Sequence, residues 1–219
     1  MTGSESQRRA YLAAMGVDLW LPRGEDAAET KDVAPVEIGE GWEPLRDAVA
    51  ACTRCELAKS RTQTVFGVGN PGADWLLIGE APGAEEDRRG EPFVGRAGKL
   101  LDEMLKAAGQ AREQVFIANI LKCRPPGNRD PKSDEAAACR EYLERQIELI
   151  QPRIILAVGR IAAQNLLGSD APVGRLRGRV HDLDGIPLVV TYHPAYLLRS
   201  PSQKQKAWDD LCLALSVLR

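Results

Sequence analysis

The sequence predicts an α/β protein built on a mainly parallel sheet of four short strands, with helices covering both faces. Three observations carry that prediction. Four apolar runs, at 75–78 (WLLI), 115–118 (VFIA), 154–158 (IILAV) and 187–191 (PLVVT), are short and continuous rather than alternating, as strands buried on both faces must be. Segments of helical period stand between the runs, which is what parallel strands need in order to cross over. Glycines 109 and 168 close two of those segments, in the position that ends helices.

Taken in order, residues 7–20 have an amphipathic helical pattern, and residues 23–44 are rich in Glu, Asp, Ala, Pro and Gly without period, so they read as a linker. Residues 1–44 are thus an N-terminal extension and 45–219 the folded domain. From Trp42 a helical pattern leads into Cys52. Helices follow at 97–108, at 133–150, where Ser133 offers a capping hydroxyl, at 160–167 and from about 202 to 218. Residues 174–179 (GRLRGR) place Arg175, Arg177 and Arg179 at alternate positions, which in an extended strand would project them together. No repeat or low-complexity tract interrupts this order.

The charge balance, 29 Lys+Arg against 31 Asp+Glu, is uneven along the chain. Residues 1–44 hold 4 basic against 9 acidic residues and residues 151–219 hold 9 against 5, so the C-terminal part offers a basic face to an anionic polymer or simply a solvated surface. No charged start followed by an apolar core marks a secretory signal, and no run reaches the roughly 18 apolar residues of a membrane span. A cytoplasmic, reduced protein with no membrane partner is expected. In that setting Cys52, Cys55, Cys123 and Cys139 are read as metal ligands rather than disulfides, while Cys212 stands alone. Four cysteines suit structural zinc or an iron-sulfur cluster, and Cys-x2-Cys spacing serves both.

Ligand sites in open parallel sheets lie beyond the carboxyl ends of the strands. Glu80, Asn119 and His193 fall there, each directly after a different predicted strand, so a carboxylate, an amide and an imidazole should converge on one edge.

The ordered segments Gly79-Glu80-Ala81-Pro82-Gly83-Ala84-Glu85-Glu86-Asp87, Pro92-Phe93-Val94-Gly95-Arg96-Ala97-Gly98, Asn119 through Arg129 (NILKCRPPGNR) and His193-Pro194-Ala195-Tyr196 resemble the motifs of the family 4, thermostable-type uracil-DNA glycosylases. The resemblance covers about residues 45–219. It implies a three-layer α/β/α sandwich, a 4Fe-4S cluster on Cys52, Cys55, Cys123 and Cys139, and hydrolysis of the N-glycosidic bond of uracil in DNA, with zinc as the alternative occupant of the cysteines.

The chemistry of such a reaction fits the residues. A flipped uracil would stack on Phe93, and the amide of Asn119 can both donate and accept, as uracil O4 and N3–H require and cytosine does not. His193 would donate to O2 of the departing base, joined by backbone N–H groups of the turn from Glu80 through Ala81 to Gly83. Glu80 would activate or orient the water. Against the family 1 motif GQDPYH, the water-activating Asp falls at Ala81 and the thymine-excluding Tyr at Gly83, so neither role carries over. Glu86 and Asp87 could share the work of Glu80, but as exposed loop acids they are read as capping or solvated. Leu197 or Leu198 is the expected wedge into the base stack, with Arg199, Lys99, Arg175 and Arg177 on the phosphates. The expected partner is uracil-containing DNA, single- or double-stranded, bound by a monomer; residues 1–44, with Tyr11, Trp20 and Leu21, offer a docking segment for a replication or repair protein. A non-catalytic metal protein that binds nucleic acid remains the competing reading.

Overall fold

The computed structural model describes residues 39–218. The expected helix at 7–20 and the docking patch lie outside the described residues. The elements are α1 (Trp42–Ala51), β1 (Val68–Gly69), β2 (Trp75–Gly79), α2 (Ala84–Arg89), α3 (Arg96–Ala107), β3 (Phe116–Asn119), α4 (Ser133–Ile150), β4 (Ile154–Val158), α5 (Arg160–Leu167), α6 (Val173–Leu176), β5 (Val180–Leu183), β6 (Ile186–Thr191), α7 (Pro194–Arg199) and α8 (Lys204–Val217).

The sheet runs β1-β3-β2-β4-β6-β5. The four predicted strands are its centre, and all of their pairings are parallel. The sheet nevertheless has six strands, not four, because a short antiparallel strand closes each edge. One of these, β1, is only two residues long, too short for any periodicity. The other, β5, forms a hairpin with β6 through Asp184 and Gly185, whose φ values of 52° and 85° are those of a two-residue primed turn.

Alternate residues of each central strand face opposite layers. Leu76, Ile78, Phe116, Ala118, Ile155 and Ala157 meet Leu45 and Val49 of α1, Tyr142 and Leu143 of α4, and Ala162 and Ala163 of α5. On the other face Trp75, Leu77, Ile117, Ile154, Leu156 and Val158 meet Leu101 and Leu105 of α3 and Leu211 and Ala214 of α8. The result is a helix–sheet–helix sandwich in which the central strands are buried throughout.

The helix expected from Trp42 is present, and the linker therefore ends before it; the Trp42 ring packs edge-on to Phe66 and Phe116 at centroid distances of 5.3 and 5.1 Å. Two local expectations are corrected. Ser133 is the first residue of α4 and not its cap; Glu135 reaches back to accept from the Lys132 backbone N–H at 2.9 Å. The segment 174–179 is not extended, because residues through Leu176 form the short helix α6.

Candidate active site

The chain leaves β2 for β3 on one side and returns to β4 on the other, so the crevice outside the ends of β2 and β4 is a topological switch point. A cavity of about 690 Å³ opens there, with Glu80, Phe93, Asn119, Arg160, Tyr192 and His193 in its wall. Three loops deliver the expected groups: Glu80 follows β2, Asn119 ends β3, and His193 caps α7 after β6. Backbone bonds from Ile120 N to Gly79 O (2.9 Å) and from Leu121 N to Glu80 O (3.1 Å) staple the first two loops together.

His193 has a fixed tautomer. The Ala195 backbone N–H donates to its Nδ1 at 3.1 Å, so a neutral ring carries its proton on Nε2. Burial, reinforced by the Arg199 charge and only partly offset by Glu86, pulls the imidazole pKa down to about 4. The ring is therefore neutral near pH 7 and a hydrogen-bond donor. It stacks on Phe93 with centroids 5.5 Å apart and planes inclined by 28°.

Phe93 is held with some strain, at a φ of 53° unusual for an aromatic residue. Two features hold it there. Glu86 Oε1 accepts from the Val94 and Gly95 N–H groups at 3.0 and 3.2 Å, and Gly98 of α3 lets the helix lie directly on the Phe93 carbonyl, where any Cβ would overlap it. Gly79 makes a similar allowance, since a Cβ there would meet Phe93 Cζ at 2.7 Å and collide with Asn119 Oδ1.

Asn119 is 3% exposed, and its side-chain amide makes no hydrogen bond with another described residue. Such an amide is unspent. The Glu80 carboxyl is pushed above its ordinary range by burial and by Asp130, against the opposing pull of Arg160. Asp130 and Arg160 are themselves paired at 2.5 Å. Ala81 and Gly83 also line the cavity, and a side chain at Gly83 would meet Glu86 Oε2 at 2.7 Å.

Sequence reasoning missed several wall residues. Glu86 and Asp87 are first-turn residues of α2 with work to do: Glu86 pins the Phe93 loop, while buried Asp87 accepts from Thr62 N at 2.9 Å. Asn128, Arg160, Tyr192 and Tyr196 complete the wall. Arg160 and Tyr192 were signalled only by their strand-end positions, whereas Glu86, Asn128 and Tyr196 lie within the motifs that carry the family resemblance, with no place in the wall assigned to them there.

The expected DNA contacts divide. Lys99, Arg175, Leu198 and Arg199 are exposed, and Arg199 borders the cavity. Leu197 is 1% exposed, so the wedge assignment falls to Leu198 alone. Arg177 is also corrected: its guanidinium pairs with fully buried Asp210 at 2.8 Å, donates to Lys206 O and lies over the Tyr192 ring. It buttresses the cavity wall and is spent as a phosphate contact.

Comparison with known proteins decides the family. The profile described as the Uracil DNA glycosylase superfamily matches residues 66–212. The chain is 44% identical over 179 residues to the type-4 uracil-DNA glycosylase of Archaeoglobus fulgidus, covering 78% of this chain and 90% of that one. Likewise it is 44% identical over 167 residues to the type-4 enzyme of Thermotoga maritima, covering 75% and 87%. The chain belongs to the type-4 uracil-DNA glycosylases. A type-5 uracil-DNA glycosylase of Pyrobaculum aerophilum is more distant, at 27% over 201 residues.

In this type-4 glycosylase Cys52 caps α1, Cys55 precedes a short 3-10 turn, Cys123 lies in the loop after β3, and Cys139 is on α4; none of the four is in a disulfide with another described residue. They are near enough to influence one another: the charges of Cys52 and Cys55 both act on Cys123, and those of Cys123 and Cys55 act on Cys139. Burial pushes Cys139 up to about 12, so only a bound cation would keep it a thiolate. Donors already face the sulfurs, with Arg61 Nη1 on Cys123 Sγ at 3.1 Å and Lys122 N on Cys139 Sγ at 3.4 Å. Among the described residues, no three His, Cys, Asp or Glu side chains form a compact single-ion site. No described helix is long and apolar enough to cross a membrane.

Proposed function

We propose that the protein removes uracil from DNA by hydrolysing the N-glycosidic bond and leaving an abasic site. One observation carries this reading: the unspent Asn119 amide, the neutral His193 donor and the Glu80 carboxylate line one cavity at the sheet's switch point, in a chain whose type-4 relatives are named for that reaction. The cavity, at about 690 Å³, lies within the usual range for small-ligand sites and has room for a flipped nucleotide.

The base enters from an unstacked nucleotide and lies against Phe93. Asn119 accepts from N3–H and donates to O4, a pattern that cytosine inverts. As the glycosidic bond lengthens, negative charge collects on O2, and His193 Nε2–H donates to it without first having to lose a proton. Glu80 takes the proton of a water that attacks the sugar carbon; burial, which raises its basicity, favours that role. Outside the cavity, Leu198 fills the gap left in the stack, while Lys99, Arg175 and Arg199 meet phosphates.

Cys52, Cys55, Cys123 and Cys139 would hold a 4Fe-4S cluster, which when bound supplies a structural cross-link between α1, the β3 loop and α4. A tetrahedral zinc would need the sulfurs roughly 3.8 Å apart, from Zn–S distances near 2.3 Å. The family resemblance of the motifs that carry these cysteines is what favours the cluster over zinc.

The test is an oligonucleotide carrying one deoxyuridine, incubated with anaerobically purified protein and then with alkali, the visible spectrum being recorded on the same sample. Strand scission absent from a thymidine control, together with broad brown absorbance, is expected. A coloured protein that binds the DNA without scission would overturn the enzymatic reading.

A further inference from the structure

Between Asn119 and the cysteine ligands stands Lys122, only 1% exposed. Lysine is almost never so deeply buried, because its ammonium loses hydration that must be replaced. Among the described residues no carboxylate pairs with Lys122, although the charges of Cys139 and Cys123 favour its ammonium. Lys122 Nζ instead donates to the Asn119 backbone carbonyl at 3.0 Å and to Gln146 Oε1 at 2.5 Å. Gln146 is itself fully buried on α4 and donates from Nε2 to Phe66 O at 2.9 Å. The Lys122 carbonyl in turn accepts from Val65 N at 2.7 Å.

We infer that Lys122 is a positioning residue for the base-reading amide of Asn119, clamping its carbonyl and being clamped in turn by Gln146. The inference rests on the uracil reading given above. An Asn side chain has only two torsions, so the placement of its peptide largely fixes where its amide points. The strand ladder secures Asn119 on one side through its parallel pairing with Gly79. Beyond Asn119 the backbone N–H groups of Ile120 and Leu121 still bond to the Gly79 and Glu80 carbonyls, while the Asn119 carbonyl itself is held by Lys122 Nζ. A role in packing alone would be met more cheaply by Met or Leu, which carry no desolvation cost. Displacement of a reacting or recognising group by about 1 Å costs about 10²-fold in rate.

The experiment compares wild type with Lys122→Met at one pH in three measurements: single-turnover excision from deoxyuridine DNA, inhibition by free uracil, and anisotropy binding to DNA carrying a tetrahydrofuran abasic analogue. Lys122→Met should excise about 10²-fold more slowly and lose uracil inhibition in parallel. Affinity for abasic-analogue DNA, which offers no base to read, and visible absorbance should be unchanged. Lys122→Arg, which keeps a donor, should recover part of both losses. Equal excision by wild type and Lys122→Met overturns the inference, as does a loss of abasic-DNA affinity as large as the loss of excision. Failure of wild type itself on deoxyuridine would instead overturn the proposed function. If Lys122→Met does not fold, Gln146→Leu releases the far end of the clamp: slower excision with unchanged abasic-DNA binding supports the inference, and unchanged excision overturns it.

Discussion

Burial acts on His193 and Glu80 by the same physics, since both are driven towards their neutral forms. For His193, with its pKa near 4, neutrality is the useful state, because Nε2–H must be donated and Nδ1 is already committed to Ala195 N. For Glu80 the useful state is the carboxylate, so activity must fall as pH drops through its raised pKa. We therefore expect the acidic limb of log kcat/KM that is met first as pH falls to lie above the ordinary carboxylate range and to belong to Glu80, with a further loss near pH 4 as His193 gains a proton. Glu80→Gln should abolish the first limb and lower kcat by about 10²–10⁴-fold; a first limb that persists in this variant would assign it elsewhere. The stability consequence has the opposite sign. A carboxyl whose folded pKa is raised opposes folding once ionised, above its unfolded value. Glu80→Gln should thus melt no lower than wild type at pH 7. At this scale the sequence was most legible where a residue directly ends a strand, as with Glu80, Asn119 and His193. It was least legible where tertiary partners decide a side chain's fate. Arg177 looks like a phosphate contact until Asp210, 33 positions away, is seen to hold it, and Leu197 and Leu198 differ only in which face of α7 they occupy.

Among the elements, α3 bears most directly on the site, because its first turn sits on the backbone of Phe93. Gly98 permits that approach. Gly98→Ala should force the helix and the Phe93 loop apart, costing about 1–3 kcal/mol as an overpacking substitution and lowering uracil excision through Phe93. Urea unfolding with an unchanged m-value, alongside an excision assay, measures both. Full activity with wild-type stability would mean that the helix start yields freely. Boundaries of elements with a strong period were readable, and α4, α5 and β4 run as expected, because their apolar positions and closing residues agree. The two edge strands were not read for different reasons. β1 is too short to carry a period, whereas β5 was announced by Asp184-Gly185 but obscured by the arginines before it. The Phe93 loop was likewise unreadable in advance, since its conformation depends on Glu86, a residue of α2 that resembles any solvated helix acid.

Across the whole molecule the four cysteines lie on one side of the sheet. Cys123 and Cys139 belong to the hydrophobic layer containing α1 and α4, and Cys52 and Cys55 pack against it. The opposite layer, with α3 and α8, contains none of them. The proposed cluster, by joining Cys55 to Cys123, would close a loop of roughly 70 residues, and a covalent closure of that length is worth about 4 kcal/mol in the chain-entropy description. That stabilisation would add to the anchors this segment already has, namely buried Leu45, Val49 and Leu57, the Arg54–Glu141 ion pair at 2.7 Å and Asp87 accepting from Thr62 N. Loss of the cross-link should therefore loosen one layer before the other. For Cys139→Ser, hydrogen exchange should rise in residues 42–62 and in the loop from 120 to 132, while residues 96–107 and 204–217 stay protected. Because that loop begins at Asn119, excision should fall in step with the exchange, and affinity for the uracil base should fall with it. Uniform loss of protection in both layers would instead make the cysteine-held group the keystone of the entire fold, and unchanged exchange everywhere would remove it from the structural account.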